Sequence, residues 1–377
     1  MRAYVLPDER LRKLAGRVVW LSIDTEQPRN RAFVEKFPIL VWPTLLAIDP
    51  ATEQVVLRWL GTATAPEIER LALDAERSVR ARSRSRADEA LARADRRMGE
   101  RQYREAAAAY REAIDAGGAS WSRRQRAYEA LVQALTMAGD PPACAAAARE
   151  AVPSLPPGAA ARASAMGLSC ARDVGDDAAR KAALDALEPA ALRALDAKGV
   201  LADDRSSLYD ELSQTREARG DAAGAKELAR RWLAFLEREA ARARTPVARA
   251  AFDGQRVSAA LRVGEPARVL PALLESDRAL PPSYVTPTLL GVVYLELGRP
   301  KDALAAADRA LGLAEGPRRI RVLVLRASAE LALDDRAAAR ATLERALSES
   351  AALPEPARPK GYTKRAEKML AQLGDGA

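Results

Sequence analysis

The spacing of apolar and polar positions changes character near residue 80. Before it, short runs rich in Val, Ile and Leu alternate with polar helical stretches. Val18-Val19-Trp20-Leu21-Ser22-Ile23-Asp24 predicts a buried strand, and Arg29 to Phe37 predicts a helix behind Pro28. Thr44 to Ile48 and Gln54 to Leu60 predict two more strands, joined through an Asp49-Pro50 turn, with Gly61 closing the second. Pro66 suits the first turn of a helix whose apolar positions are Ile68, Leu71, Leu73 and Ala75. The predicted order is strand, helix, two strands, helix.

From about Ala87 onward the pattern is almost wholly helical and similar to itself at intervals. Its clearest unit runs from Leu290 to Leu311. Leu290 lies eight residues before the turn glycine Gly298 and Gly291 seven before it, while Ala303 and Ala310 follow five and twelve after it. Small residues let two antiparallel helices approach closely, and the glycine supplies the φ > 0 conformation that ends the first helix. Leu131, Gly139, Cys144 and Ala151 repeat this arrangement, as do Leu212, Gly220, Ala225 and Trp232, with Tyr209 ahead of them. Tyr103, Ala106, Tyr110 and Ala113 read as the second helix of an earlier unit. Gly175, Gly264 and Asp334-Asp335 mark further turns. From Gly139 through Gly175, Gly220, Gly264 and Gly298 to Asp334 the intervals are 36, 45, 44, 34 and 36 residues. About six or seven helical pairs are expected over residues 87–355, with a terminal capping helix (Tyr362 to Leu373) in residues 356–377.

This grammar resembles the tetratricopeptide repeat. The resemblance implies an α-solenoid whose concave surface, built mainly from the first helix of each pair, binds a protein or peptide partner. On that register the candidate groove positions are Glu129, Gln133, Asp210, Gln214, Val292 and Leu295. Chaperone-tail-binding members of the family use a Lys/Asn clamp. Glu129, Gln133, Asp210 and Gln214 depart from it, so a C-terminal carboxylate is not expected as the ligand.

The N-terminal pieces VVWLSID, AFVEKFPI, VWPTLLAID and QVVLRWLG, followed by the helix from Pro66, resemble the C-terminal portion of a thioredoxin-like domain. The resemblance implies a cis Trp42–Pro43 bond, for which an X-Pro linkage lowers the cost to about 0.5–1 kcal/mol. It also implies a client-binding loop at Trp42, Pro43 and Thr44. Residues 1–17 match the tail of the helix that follows the family's CxxC, and the CxxC itself would fall before Met1. In the family sheet the absent strand lies between those matched by Val18–Asp24 and Thr44–Ile48. Three explanations stand: a start upstream of Met1, a decayed domain, or another segment filling the gap; we expect the first. The fold class expected is mainly α, a partial thioredoxin-like α/β N-terminal domain (1–80) followed by a tetratricopeptide-type α-solenoid (87–355).

Composition narrows the chemistry. The 377 residues include no histidine and two cysteines. This excludes a Ser-His-Asp or Cys-His nucleophile pair, an imidazole base, a His-ligated metal and a four-cysteine zinc site. Cys144 takes a small-residue slot and is expected to be buried and inert, with Cys170 on a neighbouring helix and no disulfide between them. Lys and Arg number 60 against 52 Asp and Glu, a formal charge of +8. Arg77, Arg80, Arg82, Arg84 and Arg86 crowd ten residues with no acid among them, at a junction (81–86) that reads as basic and solvated. No aromatic is interleaved there for base stacking, which argues against a nucleic-acid partner.

The run Gly220-Asp-Ala-Ala-Gly224-Ala-Lys226-Glu227 lacks the spacing, the second glycine and the Ser/Thr of a phosphate loop. Carboxylate pairs have the helical spacing of solvated faces, so no cofactor, metal or small-molecule substrate is expected. No 18-residue apolar run predicts a membrane span, and MRAYVLPDERLRKLAGR has no secretory core. The address expected is cytoplasmic, or periplasmic if the start lies upstream. The function expected is an adaptor with thiol–disulfide exchange or client binding in a longer form; the alternative is a redox-inactive repeat scaffold. Without an attacking thiolate beside Trp42–Thr44, no oxidoreductase activity is expected of these residues.

Overall fold

Two of the three expected strands form in the computed structural model, which describes residues 5–25, 27–39, 41–80 and 85–374. β1 (Thr44–Asp49) and β2 (Gln54–Leu60) pair antiparallel with Thr44 opposite Leu60 and an irregularity between Ala47 and Ile48. Asp49 ties the turn: its carboxylate accepts from the Ala51 N–H and the Thr52 hydroxyl, both at 3.0 Å. The expectation over Val18–Asp24 is corrected. Only a single bridge, Ala15 to Val18, occurs there, and Val19, Trp20 and Leu21 are exposed at 86%, 48% and 73%. A β-prone run becomes a strand only where a neighbour completes its ladder, and among the described residues none does.

The helices of this region are α1 (Glu9–Arg12), α2 (Arg31–Lys36) and α3 (Ala65–Arg80). The observed order is therefore helix, helix, two strands, helix, and the described residues show a small two-stranded sheet in place of a thioredoxin-like one. α3 opens with a capping box. The Glu67 carboxylate accepts from the Thr64 N–H at 2.7 Å, and the Glu67 N–H donates to Thr64 Oγ1 at 3.4 Å. The Trp42–Pro43 bond is cis.

Among the described residues the elements that follow are all helices: α4 (Arg86–Gly99), α5 (Tyr103–Gly117), α6 (Arg124–Met137), α7 (Pro141–Ala151), α8 (Pro157–Arg172), α9 (Asp177–Asp196), α10 (Ala202–Ala218) and α11 (Ala222–Arg242). There follow α12 (Pro246–Ala250), α13 (Asp253–Val263), α14 (Leu270–Ala279), α15 (Val285–Glu296), α16 (Pro300–Leu313), α17 (Pro317–Ala332), α18 (Arg336–Ala352) and α19 (Lys360–Leu373). The chain divides into two compact units, residues 1–25 with 29–232 and residues 233–377 with 26–28, the main division falling within α11. In the first unit α4 pairs with α5, α6 with α7 and α8 with α9; in the second, α15 pairs with α16 and α17 with α18, on which α19 packs.

Six inter-helix turns share one backbone device. Arg101, Gly139, Gly220, Gly264, Gly298 and Asp334 have positive φ. Each N–H donates to the carbonyl three residues back and the next N–H to the carbonyl five back, as in Gly298 to Leu295 (3.0 Å) and Arg299 to Tyr294 (2.8 Å). This is the Schellman motif. Gly175 lies in the α8–α9 turn without it; there the Asp176 carboxylate caps α9 through the Ala179 N–H at 2.7 Å. Arg101 was not foreseen as a turn, because a non-glycine residue rarely takes this conformation.

Small residues set the helix separations. A Cβ on Gly167 would lie 2.6 Å from Ala148 Cβ, and one on Gly291 2.9 Å from Leu325 Cδ2. At Gly167 the helices meet too closely for a side chain, and at Gly291 one would have to displace the Leu325 side chain. The cysteine expectation is corrected in the same seam: Cys144 on α7 and Cys170 on α8 are buried as a disulfide, with Cα atoms 6.0 Å apart. Each takes a small-residue position facing the other, a proximity that 26 residues of sequence separation conceal.

Candidate functional site

Alternation along β2 sends neighbouring side chains to opposite faces of the strand, and in the first unit both faces are gripped by the helices. On the Arg58 side, the α4 carboxylate of Asp95 is buried at 3% exposure. It accepts from Arg126 of α6 at 2.9 and 3.1 Å, from the Tyr110 hydroxyl of α5 at 2.8 Å and from the Arg58 backbone N–H at 3.3 Å. Arg126 also donates to the Arg58 carbonyl at 2.7 Å, and the Arg58 guanidinium donates to the Pro38 carbonyl at 3.1 Å. Asp95 and Arg126 thus bracket the N–H and C=O of one strand residue. Burial lowers the Arg58 pKa against the pull of Asp95, and burial followed by the Asp95 charge pushes the Tyr110 hydroxyl well up, keeping it a neutral donor.

On the other side, Arg162 of α8 lies 5.7 Å from the Trp59 ring centroid. It donates to Glu67 of α3 at 2.7 Å, to Glu129 of α6 at 2.9 and 3.1 Å and to Asp204 of α10 at 3.1 Å. Gln125 adds donors to Glu67 (2.7 Å) and Glu129 (3.1 Å), and the Thr62 hydroxyl donates to Asp204. One guanidinium faces three carboxylates, and all four groups are buried. Burial raises the pKa of Glu129 and of Asp204, with Arg162 opposing. At Glu67 burial pushes up too, but Arg162 and the two donors of Thr64 outweigh it and the pKa falls.

Further along, Arg123 at the start of α6 donates to the Ser78 hydroxyl of α3 (3.0 Å) and to Asp88 of α4 (2.9 Å). The apolar half of the contact is Leu57, Trp59, Ala63, Ile68 and Leu71, with Leu201 packed against it. α4, α6 and α8, the first helices of three successive pairs, and α10 after them therefore each place a charged residue on the β2–α3 segment.

Of the six groove candidates, Glu129 alone enters this cluster, buried and held by Arg162 and Gln125. Gln133 and Asp210 are half-buried elsewhere on α6 and α10. Gln214 accepts from Arg172 (3.2 Å), which also donates to Glu211 (2.5 Å). Val292 and Leu295 are half-buried on α15 of the second unit. Trp42 is 67% exposed, its indole N–H donating to the Thr25 hydroxyl (3.0 Å), and the Thr44 hydroxyl donates to the Val41 carbonyl (2.6 Å). Arg77 and Arg80 pair with Asp74 and Glu76, and Arg86 lies 3.8 Å from Glu112, while Arg82 and Arg84 fall outside the described residues. The junction arginines that are described thus have acids opposite them.

Arg58, Asp95, Arg126, Arg162 and Asp204 were missed in the sequence. The available signal was phase: Arg162 stands within Ala159 to Ala165, a run of small residues that buries most of its turns. Among the described residues no group of His, Cys, Asp or Glu could hold a metal, and no helix is long and apolar enough to cross a membrane.

No protein-family model matches the chain, and no curated protein sequence matches it. Solved structures similar to it include a tetratricopeptide repeat protein from Parabacteroides merdae, at 10% identity and a TM-score of 0.47, covering 77% of this chain and 99% of that one. BtubC (BKLC) from P. vanneervenii is similar at 18% identity and a TM-score of 0.40, covering 57% and 91%. The TPR2AB domain of yeast Sti1, in a pHSP90 complex, is similar at 14% identity and a TM-score of 0.29, covering 77% and 98%.

Proposed function

We propose that the helical pairs are a tetratricopeptide-type scaffold that binds a protein or peptide partner on the face made by the first helix of each pair. One observation carries this reading: α4, α6, α8 and α10 already hold a polypeptide segment there, reading its main chain through Asp95 and Arg126 and its side chains through Arg162 and Asp204. The test is site-specific photo-crosslinking of the full chain from Gln133 and Val292, with Glu105 on the second-helix side as control. Discrete polypeptide adducts from the first two positions, and none from the third, are expected. Equal labelling from all three would reject the reading.

A second reading is client binding at Trp42–Thr44 by a thioredoxin-like region, favoured by the exposed Trp42 ring. Its test is loss of any client adduct on Trp42→Ala. Thiol–disulfide exchange would need a thiolate beyond these residues, because Cys144 and Cys170 are bonded to each other and buried. That disulfide favours an oxidising compartment, as on the exported alternative. Alkylation before and after reduction, on protein extracted from its source cells, should find no free thiol in the unreduced sample.

A further inference from the structure

The first-helix face of the first unit is already filled by the chain itself. We propose that residues 54–80, β2 with α3, are a displaceable ligand held in cis, and that an outside partner of this face is a polypeptide of the same chemistry. That chemistry is an extended strand carrying Arg and an aromatic in succession, followed by a Thr-x-x-Glu helix start. The proposal rests on the scaffold reading and adds how the site is regulated.

Four observations carry it. The receptor face recognises β2 as it would recognise any strand, with Asp95 accepting from the Arg58 N–H and Arg126 donating to its carbonyl. Specificity comes from groups the segment supplies: Trp59 on Arg162, the Thr62 hydroxyl on Asp204 and the Glu67 carboxylate on Arg162 and Gln125. The grip is also poorly balanced for a permanent core. Among the described residues, Arg58 Nε and Arg126 Nη2 are buried without a hydrogen-bond partner, and three carboxylates crowd one guanidinium. Buried charges in such excess weaken an interface that apolar packing would have made tighter. Finally, β1 and β2 are a two-stranded sheet, and a lone hairpin is marginal without a surface to lie on. The segment depends on the helices for its shape, whereas the helices are tied to one another by their own turns and seams.

The experiment weakens the ligand and leaves the receptor unchanged. A fluorescent synthetic peptide of residues 41–80 is titrated against the wild-type full chain and against a full chain carrying Thr62→Ala and Glu67→Ala. The double variant should bind the peptide at least tenfold more tightly, and a peptide carrying Glu67→Ala should lose that gain. Equal affinity for both chains, with unchanged far-UV circular dichroism, overturns the proposal. Hydrogen exchange on the wild-type chain tests the same point without any substitution. Amides of 54–80 should exchange faster than those of α6 and α8, and coincident exchange overturns it. Photo-adducts at Gln133 without peptide exchange reject the in-cis ligand and leave the scaffold standing. Peptide exchange without foreign adducts does the reverse.

Discussion

The two faces of β2 solve one problem, burial of charge, in opposite ways. Beside Arg58, the single carboxylate of Asp95 accepts from the Arg126 guanidinium and the Arg58 backbone N–H while its charge also acts on the Arg58 guanidinium; beside Trp59, three carboxylates share the single guanidinium of Arg162. The first cluster has a cation in excess and the second has two anions in excess. The difference matters because a carboxylate can shed its charge by taking a proton, while arginine keeps its charge across the accessible pH range. The excess charge on the Trp59 side can therefore be shed in acid, and the excess on the Arg58 side cannot.

The largest effects should come from removing the minority charge on either face. Asp95→Ala and Arg162→Met should each cost on the order of 3–5 kcal/mol in urea unfolding near pH 8, since each strands buried charges of one sign. Lowering the pH toward 5 should recover a large part of the Arg162→Met loss, as its carboxylates protonate, and little of the Asp95→Ala loss. Identical pH profiles for the two variants would break the comparison.

Next in size is the α7–α8 crosslink, which touches neither face. Closing a loop of 26 residues restricts the unfolded chain by about 3 kcal/mol. Reduction, or Cys144→Ala with Cys170→Ala, should lower stability by that order with no change in the pH profile of the β2 contacts.

A smaller effect separates the excess anions. The pKa of Glu129 is raised by burial, so its ionised form costs stability at neutral pH, a cost that shrinks as the pH falls through its folded pKa and is gone below the unfolded one. Asp204 behaves alike. Glu67 has the opposite sign: its lowered pKa contributes stability above the ordinary carboxylate value, lost as the pH falls through the folded one. The first unit should thus gain stability from pH 8 down to mild acid and lose it in stronger acid. Glu129→Gln should flatten the gain and be neutral or stabilising by up to about 1 kcal/mol at pH 8. Destabilisation by several kcal/mol there would show that Arg162 needs all three carboxylates.

The smallest change expected is Tyr110→Phe, about 1 kcal/mol for one hydroxyl donated to a charged acceptor that keeps its other donors. A thermal melt of each variant beside wild type would order the series.

What could be read in advance was local. Gly298 with Gly291, Ala303 and Ala310 announced an antiparallel pair, and the structure places Gly291 where a Cβ would strike Leu325. The hairpin, the helix behind it and the terminal helix over Tyr362 to Leu373 follow from alternation, turn residues and helical phase. Val19 to Leu21 misled, because strand propensity is realised only against a neighbour. Of the groove positions, Glu129 lies on the side of α6 that meets β2 and α3, and its burial under the chain's own segment could not be seen from α6 alone.

The sequence by itself therefore determined the helical character after residue 86, most of the pair turns, Arg101 excepted, and which small side chains let helices touch. Each of these rests on interactions within a few residues of chain. Only the tertiary structure decided that Cys144 bonds Cys170, that Arg162 meets a glutamate 95 residues away and that Thr62 meets an aspartate 142 residues away. Such contacts depend on which helices are stacked together and at what rotation. A buried arginine and a solvated one occupy the same letter until the packing of their neighbours separates them.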